Sequence, residues 1–81
     1  MHTVKYNLFF LKAQLEAKSG RTYAWSEIAN RVGAHRNTIM NLAGNRTSTI
    51  DVAVVGELID FFADEGMPIT IADLFTVEHQ P

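Results

Sequence analysis

The sequence predicts a single, compact all-α domain built from five helices, and three observations support this prediction. Apolar residues recur at intervals of three and four over most of the chain, which is the spacing of amphipathic helices. Polar segments that contain glycine or proline separate these stretches. The chain has 81 residues, of which 47% are hydrophobic and 20% charged, so it can form one hydrophobic core but not two.

The first helix is predicted to begin at Val4 or Asn7 and to continue to about Lys18. The pair Ser19-Gly20 then interrupts the periodicity and ends the helix. Its apolar stripe comprises Val4, Leu8, Leu11 and Leu15.

The second and third helices are short and close together in the sequence. The apolar pattern predicts a helix from Trp25 to Val32, followed by Gly33, a residue type that is favoured just past a helix end. A third helix is predicted from Arg36 to Ala43, with Ile39 and Leu42 facing inward. Because so short a segment containing a glycine separates them, the two helices are predicted to form a helix-turn-helix.

The second half of the chain is predicted to contain a fourth helix and one further helical turn. Asp51 is suited to cap the fourth helix, and the segment Glu65-Gly66-Met67-Pro68 ends it. Thr70 followed by Asp73 matches a capping box, which predicts a last helical turn at Ile71–Phe75.

The two ends of the chain also permit a second interpretation. The segments 4–6 and 75–77 each alternate polar and apolar residues, so they would alternatively pair as two short terminal edge strands. The domain prediction is a single unit over residues 1–81, with its core in 4–75 and a tail at 76–81.

Charges are segregated along the chain. Residues 1–50 contain all seven basic residues and two acids, a local net charge of +5, whereas residues 51–81 contain seven acids and no lysine or arginine. Two interpretations remain open: two solvated faces of opposite sign, or a phosphate-facing surface with an acidic back.

Several classes of function are not expected. There is no cysteine, and His2, His35 and His79 are too scattered along the sequence for a metal site, so no metal or other cofactor is expected. The sequence has no phosphate loop, no nucleophile pattern and no paired carboxylates, which argues against an enzyme. Its start lacks the apolar stretch of a signal peptide and its apolar runs are too short for a bilayer, so we expect a soluble, cytoplasmic protein with no membrane partner.

The third helix contains side chains that suit contacts with DNA bases. In a helix-turn-helix, the second helix of the pair lies in the major groove. Arg36 can donate two hydrogen bonds to a guanine, and Asn37 and Asn41 can each pair with an adenine. The two asparagines are four residues apart and therefore share one helical face, and no acidic residue interrupts this helix.

The segment from Trp25 to Leu42, WSEIANRVGAHRNTIMNL, resembles the lambda-repressor-like, Cro/cI-type (XRE) family of helix-turn-helix regulators. Ile50-Asp51-Val52 and Ile71-Ala72-Asp73-Leu74-Phe75 are similar to the start of the family's fourth helix and to its closing turn, so the resemblance covers roughly residues 8–75. It implies a lambda-repressor-like domain that forms a homodimer, binds a palindromic operator in double-stranded DNA and regulates transcription, with repression favoured over activation. Ligand-sensing members carry a further domain, so regulation by a small molecule is not expected.

The resemblance also implies particular contacts with DNA. The implied base-contacting residues are Arg36, Asn37 and Asn41, with His35 at the helix start and Thr38 beside them. The implied phosphate contacts are Trp25, Asn45, Arg46 and Thr47, and a loop longer than the common pattern adds Arg21.

Besides this longer loop, the chain departs from the family pattern in two places. Trp25 stands where the family usually has glutamine, and a large aromatic is more typical of packing than of DNA contact. Gly44-Asn45 stands where the family usually has Asn-Gly. These departures favour a second hypothesis, in which the same fold is a protein-interaction module such as an antitoxin, antirepressor or accessory subunit with a protein partner.

Overall fold

The computed structural model describes residues 2–47 and 49–79, which form four α-helices, one 3-10 turn and two strands. The Cα radius of gyration is 12.5 Å, as expected for one compact domain of this length. In chain order the elements are β1 His2–Tyr6, α1 Leu8–Ser19, α2 Trp25–Val32, α3 Arg36–Ala43, α4 Val52–Asp64, the 3-10 turn Ile71–Leu74 and β2 Phe75–His79.

The strands β1 and β2 form a two-stranded antiparallel sheet that joins the two ends of the chain. Val4 lies opposite Val77, and Tyr6 lies opposite Phe75. The edge-strand interpretation is therefore confirmed, and the pairing extends outward into the segment 76–79, which was predicted as tail. The fold is mostly helical rather than all-α.

The prediction of five helices is corrected at both ends of the chain. The first helix does not begin at Val4, because residues 2–6 pair with β2, and α1 starts at Leu8. The predicted fifth helix is a single 3-10 turn. Thr70 and Asp73 do form the capping box that starts this turn, but Phe75 is extended and enters β2.

Local signals set the ends of the other helices. The helices α2 and α3 have the predicted bounds, and Gly33 between them has the left-handed φ of 70° that favours glycine. One carboxylate oxygen of Asp51 accepts hydrogen bonds from the backbone N–H groups of Ala53 and Val54, at 3.0 and 3.2 Å, and so caps α4 as predicted.

One hydrophobic core unites the helices with the inner end of the sheet. Leu8 and Leu15 of α1, Ile28 of α2, Ile39 of α3 and Leu58 of α4 are all fully buried. Each such side chain stabilises the fold by about 1.5–3 kcal/mol through its removal from water. The remaining members of the core are Tyr6, Leu11, Tyr23, Ala29, Val32, Leu42, Val55, Phe61, Phe62 and Leu74.

Among the helices formed by residues 2–47 and 49–79, none combines the length and the apolar character that crossing a membrane requires.

Candidate nucleic-acid interface

A short turn holds α2 and α3 as one unit. Backbone N–H groups at the end of α2 close the turn, since Gly33 donates to the carbonyl of Asn30 at 3.3 Å and Ala34 donates to the carbonyl of Ala29 at 3.0 Å. The buried residues of both helices belong to the same core cluster. The turn and this shared core together fix the direction of α3 relative to α2.

The outer face of α3 contains the residues that were predicted to contact bases. Arg36, Asn37, Thr38 and Asn41 are all exposed, whereas Ile39 is buried in the core. Asn37 and Asn41 are one helical turn apart and project from the same face. The structure therefore presents these polar side chains to solvent as one surface.

His35 immediately precedes α3 and caps it. Its Nδ1 atom accepts a hydrogen bond from the backbone N–H of Asn37 at 3.2 Å. Because Nδ1 is the acceptor, the neutral ring carries its hydrogen on Nε2, and the side chain is exposed. His35 thus stabilises the start of the helix and leaves a donor at the same end of α3.

Most of the basic side chains are engaged by other parts of the protein. Within residues 2–47 and 49–79, Arg36 and Arg46 have neither an ion pair nor a side-chain hydrogen bond, unlike the other five of the seven basic residues. Four of these five form ion pairs: Lys5 with Glu78, Lys12 with Glu16, Arg21 with Glu27 and Glu65, and Arg31 with Glu65. The fifth, Lys18, donates a hydrogen bond to the carbonyl of Gly66.

Folding thus partly removes the charge segregation that the sequence shows. Glu65 and Glu78 belong to the acidic half of the chain, yet both form ion pairs with residues of the basic half. In the described part of the chain, the basic side chains that have neither an acidic partner nor a side-chain hydrogen bond are Arg36 on α3 and Arg46 in the loop that follows it, whereas Lys18 donates to a neutral carbonyl.

Asn45 fastens this loop to the sheet. Its φ of 54° is left-handed, a conformation that asparagine tolerates better than most residues. Its side-chain Oδ1 accepts from the N–H of Tyr6 at 2.6 Å, and its Nδ2 donates to the carbonyl of Tyr6 at 3.2 Å. A phosphate contact from this side chain would have to displace these bonds, so the observed role of Asn45 is to position the loop.

Arg46 lies across the end of α3. Its backbone N–H donates to the carbonyl of Asn41 at 2.8 Å. Its Nε atom would be 3.2 Å from a Cβ atom built onto Gly44, so the absence of a side chain at Gly44 makes room for the arginine. The neighbouring Thr47 shares a hydroxyl–hydroxyl bond of 3.0 Å with Thr49, a local contact within the loop.

Trp25 is the first residue of α2 and is half-buried against the core. Its ring centroid is 6.2 Å from that of Phe9, and the Nζ atom of Lys12 is 5.0 Å from it, within range of a cation–π contact. The ring also lines a shallow groove beside α3. The residues lining this groove are Phe9, Trp25, Met40, Ala43, Gly44 and Arg46.

Arg21 belongs to an ionic network on the loop between α1 and α2. Its guanidinium pairs with Glu27 and with Glu65, and it stacks on the ring of Tyr23 with 4.4 Å between the Cζ atom and the ring centroid. Glu65 also accepts a 2.5 Å hydrogen bond from the hydroxyl of Tyr23 and pairs with Arg31. Arg21 is therefore held by internal partners, and its predicted phosphate contact would compete with them.

The hydrogen bonds of Tyr23 lower the pKa values of two carboxyl groups. The Tyr23 hydroxyl, assisted by Arg31 and Arg21, lowers the pKa of Glu65 against the opposing effect of desolvation. The backbone N–H of Tyr23, 2.7 Å from Glu16, lowers the pKa of that carboxyl, and Lys12 adds to the effect. This arrangement is not predictable from the sequence, because no local pattern connects Tyr23 with a glutamate 42 residues away.

Comparison of the chain with models of known protein families gave no match, and comparisons with curated proteins and with solved structures gave none either. Inferences about function therefore depend on the residues and geometry described above.

Proposed function

We propose that this chain is a lambda-repressor-like helix-turn-helix regulator that binds double-stranded DNA sequence-specifically, with α3 in the major groove. The observation that most supports the proposal is the free polar surface of α3. Arg36, Asn37 and Asn41 are exposed together on this helix, which has no acidic residue. Arg36 has no acidic partner within the described residues, so its guanidinium is free to donate to a base.

The dimensions of α3 suit this role. Its eight residues give a length of about 12 Å, and a helix of about 10–12 Å diameter fits a major groove that is about 12 Å wide. The cap at His35 and the packing of Ile39 fix the helix, so DNA binding does not require ordering of its backbone.

Affinity and specificity come from different residues in this proposal. Arg46, with Thr47 beside it, lies just past α3 and supplies contacts to phosphate. Arg36, Asn37 and Asn41 supply contacts to base edges, with Thr38 and His35 beside them. The contacts that engage Asn45 and Arg21 within the protein favour a role for these two residues in holding the interface in shape.

Selection of bound duplexes from a random DNA library tests both binding and the homodimer that the family resemblance implies. We expect enrichment of a two-fold symmetric motif with half-sites about 34 Å, or one helical turn, apart. Enrichment of a single unrepeated half-site would support DNA binding by a monomer and refute the dimer. If no sequence is enriched by a protein that circular dichroism shows to be folded, the proposal is refuted.

Two arginine variants test the separate roles. Arg36→Ala should weaken cognate binding by about 1–3 kcal/mol and relax the preference at one base pair. Arg46→Ala should weaken binding to all sequences and make the dependence on salt shallower, because one phosphate contact is lost. Lys18→Ala is the matched control, since it also removes one positive charge but from a side chain bonded to the carbonyl of Gly66. Equal loss of cognate and random binding in Arg36→Ala would refute its assignment to a base.

An apolar surface beside α3 favours a second function, that of a protein-interaction module. Phe9 and Phe10 are 68% and 59% exposed, and Phe9 continues into the groove formed with Trp25 and Met40. An antitoxin or accessory subunit would cover such a surface with its partner. Under this hypothesis Phe9→Ser abolishes association with the partner, whereas under the DNA hypothesis this variant selects the same DNA motif as the parent chain.

A further inference from the structure

The fold brings together two histidines from opposite ends of the chain. His2 begins β1, His79 ends β2, and the register of the sheet places them directly opposite each other. Both side chains are exposed, and their ring centroids are 4.7 Å apart. The Nδ1 atom of His79 is 3.3 Å from the Nε2 atom of His2. Two imidazole nitrogens, the commonest metal-binding atoms in proteins, therefore meet at one point on the surface.

We propose that His2 and His79 form a binding site for a divalent transition metal ion, best suited to Zn²⁺. Zinc binds histidine nitrogen at about 2.0–2.1 Å in a tetrahedral arrangement, which places two ligand nitrogens about 3.3 Å apart. The observed separation of the two nitrogens is 3.3 Å. One of the two facing nitrogens donates the present hydrogen bond, so its hydrogen must first move to the other nitrogen of the same ring. Because both rings are exposed, a small rotation then directs one lone pair from each ring at a single ion.

The surroundings of the pair do not oppose a bound cation. Side chains alternate between the two faces of a strand, so the next pair on the same face is Val4 and Val77, which are uncharged. Lys5 and Glu78 lie on the opposite face, where their charged groups pair at 3.2 Å. Lys5, the lysine nearest to the pair in the sequence, is thus neutralised and faces away from the two rings.

The site is open to solvent. No group of three or more histidine, cysteine or acidic side chains that could hold a metal lies within residues 2–47 and 49–79, so the protein supplies two ligands from this part of the chain. Water completes the coordination of an ion held in this way. Such an ion exchanges readily, unlike the closed four-ligand sites of structural zinc domains.

A metal at this position would link the two ends of the domain. The two histidines are 77 residues apart in the sequence, so an unfolded chain does not hold them together. An ion that binds both therefore binds the folded state in preference to the unfolded one and raises the stability of the fold. This property is independent of DNA binding, because the interface proposed on α3 contributes neither ligand.

Thermal unfolding of the full chain in increasing Zn²⁺, with binding measured in parallel by calorimetry, tests the proposal. We expect a saturable rise in melting temperature with one ion per chain, and its reversal by EDTA. His2→Ala and His79→Ala should each abolish the rise. His35→Ala is the matched control, because it removes an exposed histidine that is not part of the pair, and the rise should persist in this variant relative to its own metal-free melting temperature.

The side-chain signals of the histidines in nuclear magnetic resonance spectra identify the ligands directly. Zn²⁺ should shift the imidazole signals of His2 and His79 together and leave those of His35 in place. A zinc-dependent doubling of mass that both His2→Ala and His79→Ala abolish would also support the site, since two copies would then supply four imidazoles. Two results would refute the proposal: a zinc-dependent rise in melting temperature that persists in His79→Ala, or no saturable binding of Zn²⁺ to the parent chain. The two histidines would then form a hydrogen bond but no metal site.

Discussion

Replacing Glu65 by glutamine should destabilise the domain by removing the charge around which Tyr23, Arg21 and Arg31 are arranged. The substitution keeps the size and shape of the side chain, so it changes the electrostatics with little change in packing. Glu65 immediately follows α4, and its partners lie in α2 and in the loop before it. The variant therefore tests whether these contacts stabilise the tertiary structure.

The expected loss of stability in Glu65→Gln comes mainly from the hydrogen bond that Tyr23 donates to Glu65. Tyr23 is 2% exposed, and its hydroxyl is 2.5 Å from the carboxylate of Glu65. A hydrogen bond to a charged group contributes about 1.5–3 kcal/mol and a neutral one about 0.5–1.5 kcal/mol, so loss of the charge costs about 1–1.5 kcal/mol. The side chains of Arg21 and Arg31 are 51% and 38% exposed, and water screens such pairs to about 0–1 kcal/mol each.

We therefore expect Glu65→Gln to lower the free energy of unfolding by about 2 kcal/mol in total. For a domain of this size, that corresponds to a fall in melting temperature of about 8–16 °C. Urea denaturation followed by circular dichroism should show a lower midpoint with an unchanged slope. Asp60→Asn is the matched control, since it removes one negative charge from an exposed position on α4 and should change stability by less than about 0.5 kcal/mol.

The same contacts determine how the stability depends on pH. The folded state lowers the pKa of Glu65 below its ordinary value of 4.5, so the stabilisation is fully present above pH 4.5. It is lost as the pH falls from there through the lower pKa of the folded state. The difference in stability between the parent chain and Glu65→Gln should accordingly shrink over this acidic range.

Two results would refute this reasoning. One is a Glu65→Gln variant as stable as Asp60→Asn at neutral pH. The other is strict additivity of Glu65→Gln and Tyr23→Phe in a double-mutant cycle, which would show that the hydroxyl and the carboxylate do not interact energetically.

Three further predictions concern the backbone and its caps, and urea denaturation measures each. Gly33→Ala should lower the free energy of unfolding by about 1–2 kcal/mol, because φ is 70° at this position. Gly56→Ala should raise it by about 0.5–1 kcal/mol, because Gly56 lies within α4 and has open space around it. Equal effects of the two substitutions would contradict this conformational argument. Asp51→Ala should lower the free energy of unfolding by about 1 kcal/mol, because the cap of α4 is lost. Asparagine is also a good cap, so Asp51→Asn should retain most of this stability if capping is the cause. Asn45→Ala should cost about 2 kcal/mol through loss of both bonds to the backbone of Tyr6, and a neutral result would show that the loop is not held there.

Features that depend on residues within one helical turn were predictable from the sequence. The bounds of α2 and α3 follow from the apolar period and from Gly33, and both the Asp51 cap and the Thr70–Asp73 capping box were anticipated. The exposed face of α3 was predictable for the same reason, since burial of Ile39 and Leu42 at helical spacing turns the polar residues outward.

Tertiary structure decided the contacts between residues that are distant in the sequence. The ends of the chain fitted a helix or a tail as well as a strand, and only the pairing of β1 with β2 selected the strands and brought His2 to His79. Likewise, the charge pattern along the sequence could not show which arginines have acidic partners. In the structure, Glu65 pairs with Arg21 and Arg31, whereas Arg36 has no acidic partner within the described residues. The physical reason is that helix periodicity and capping act within about four residues, whereas the pairing of β1 with β2 and the ion pairs of Glu65 join segments far apart in the sequence, whose proximity depends on the whole fold.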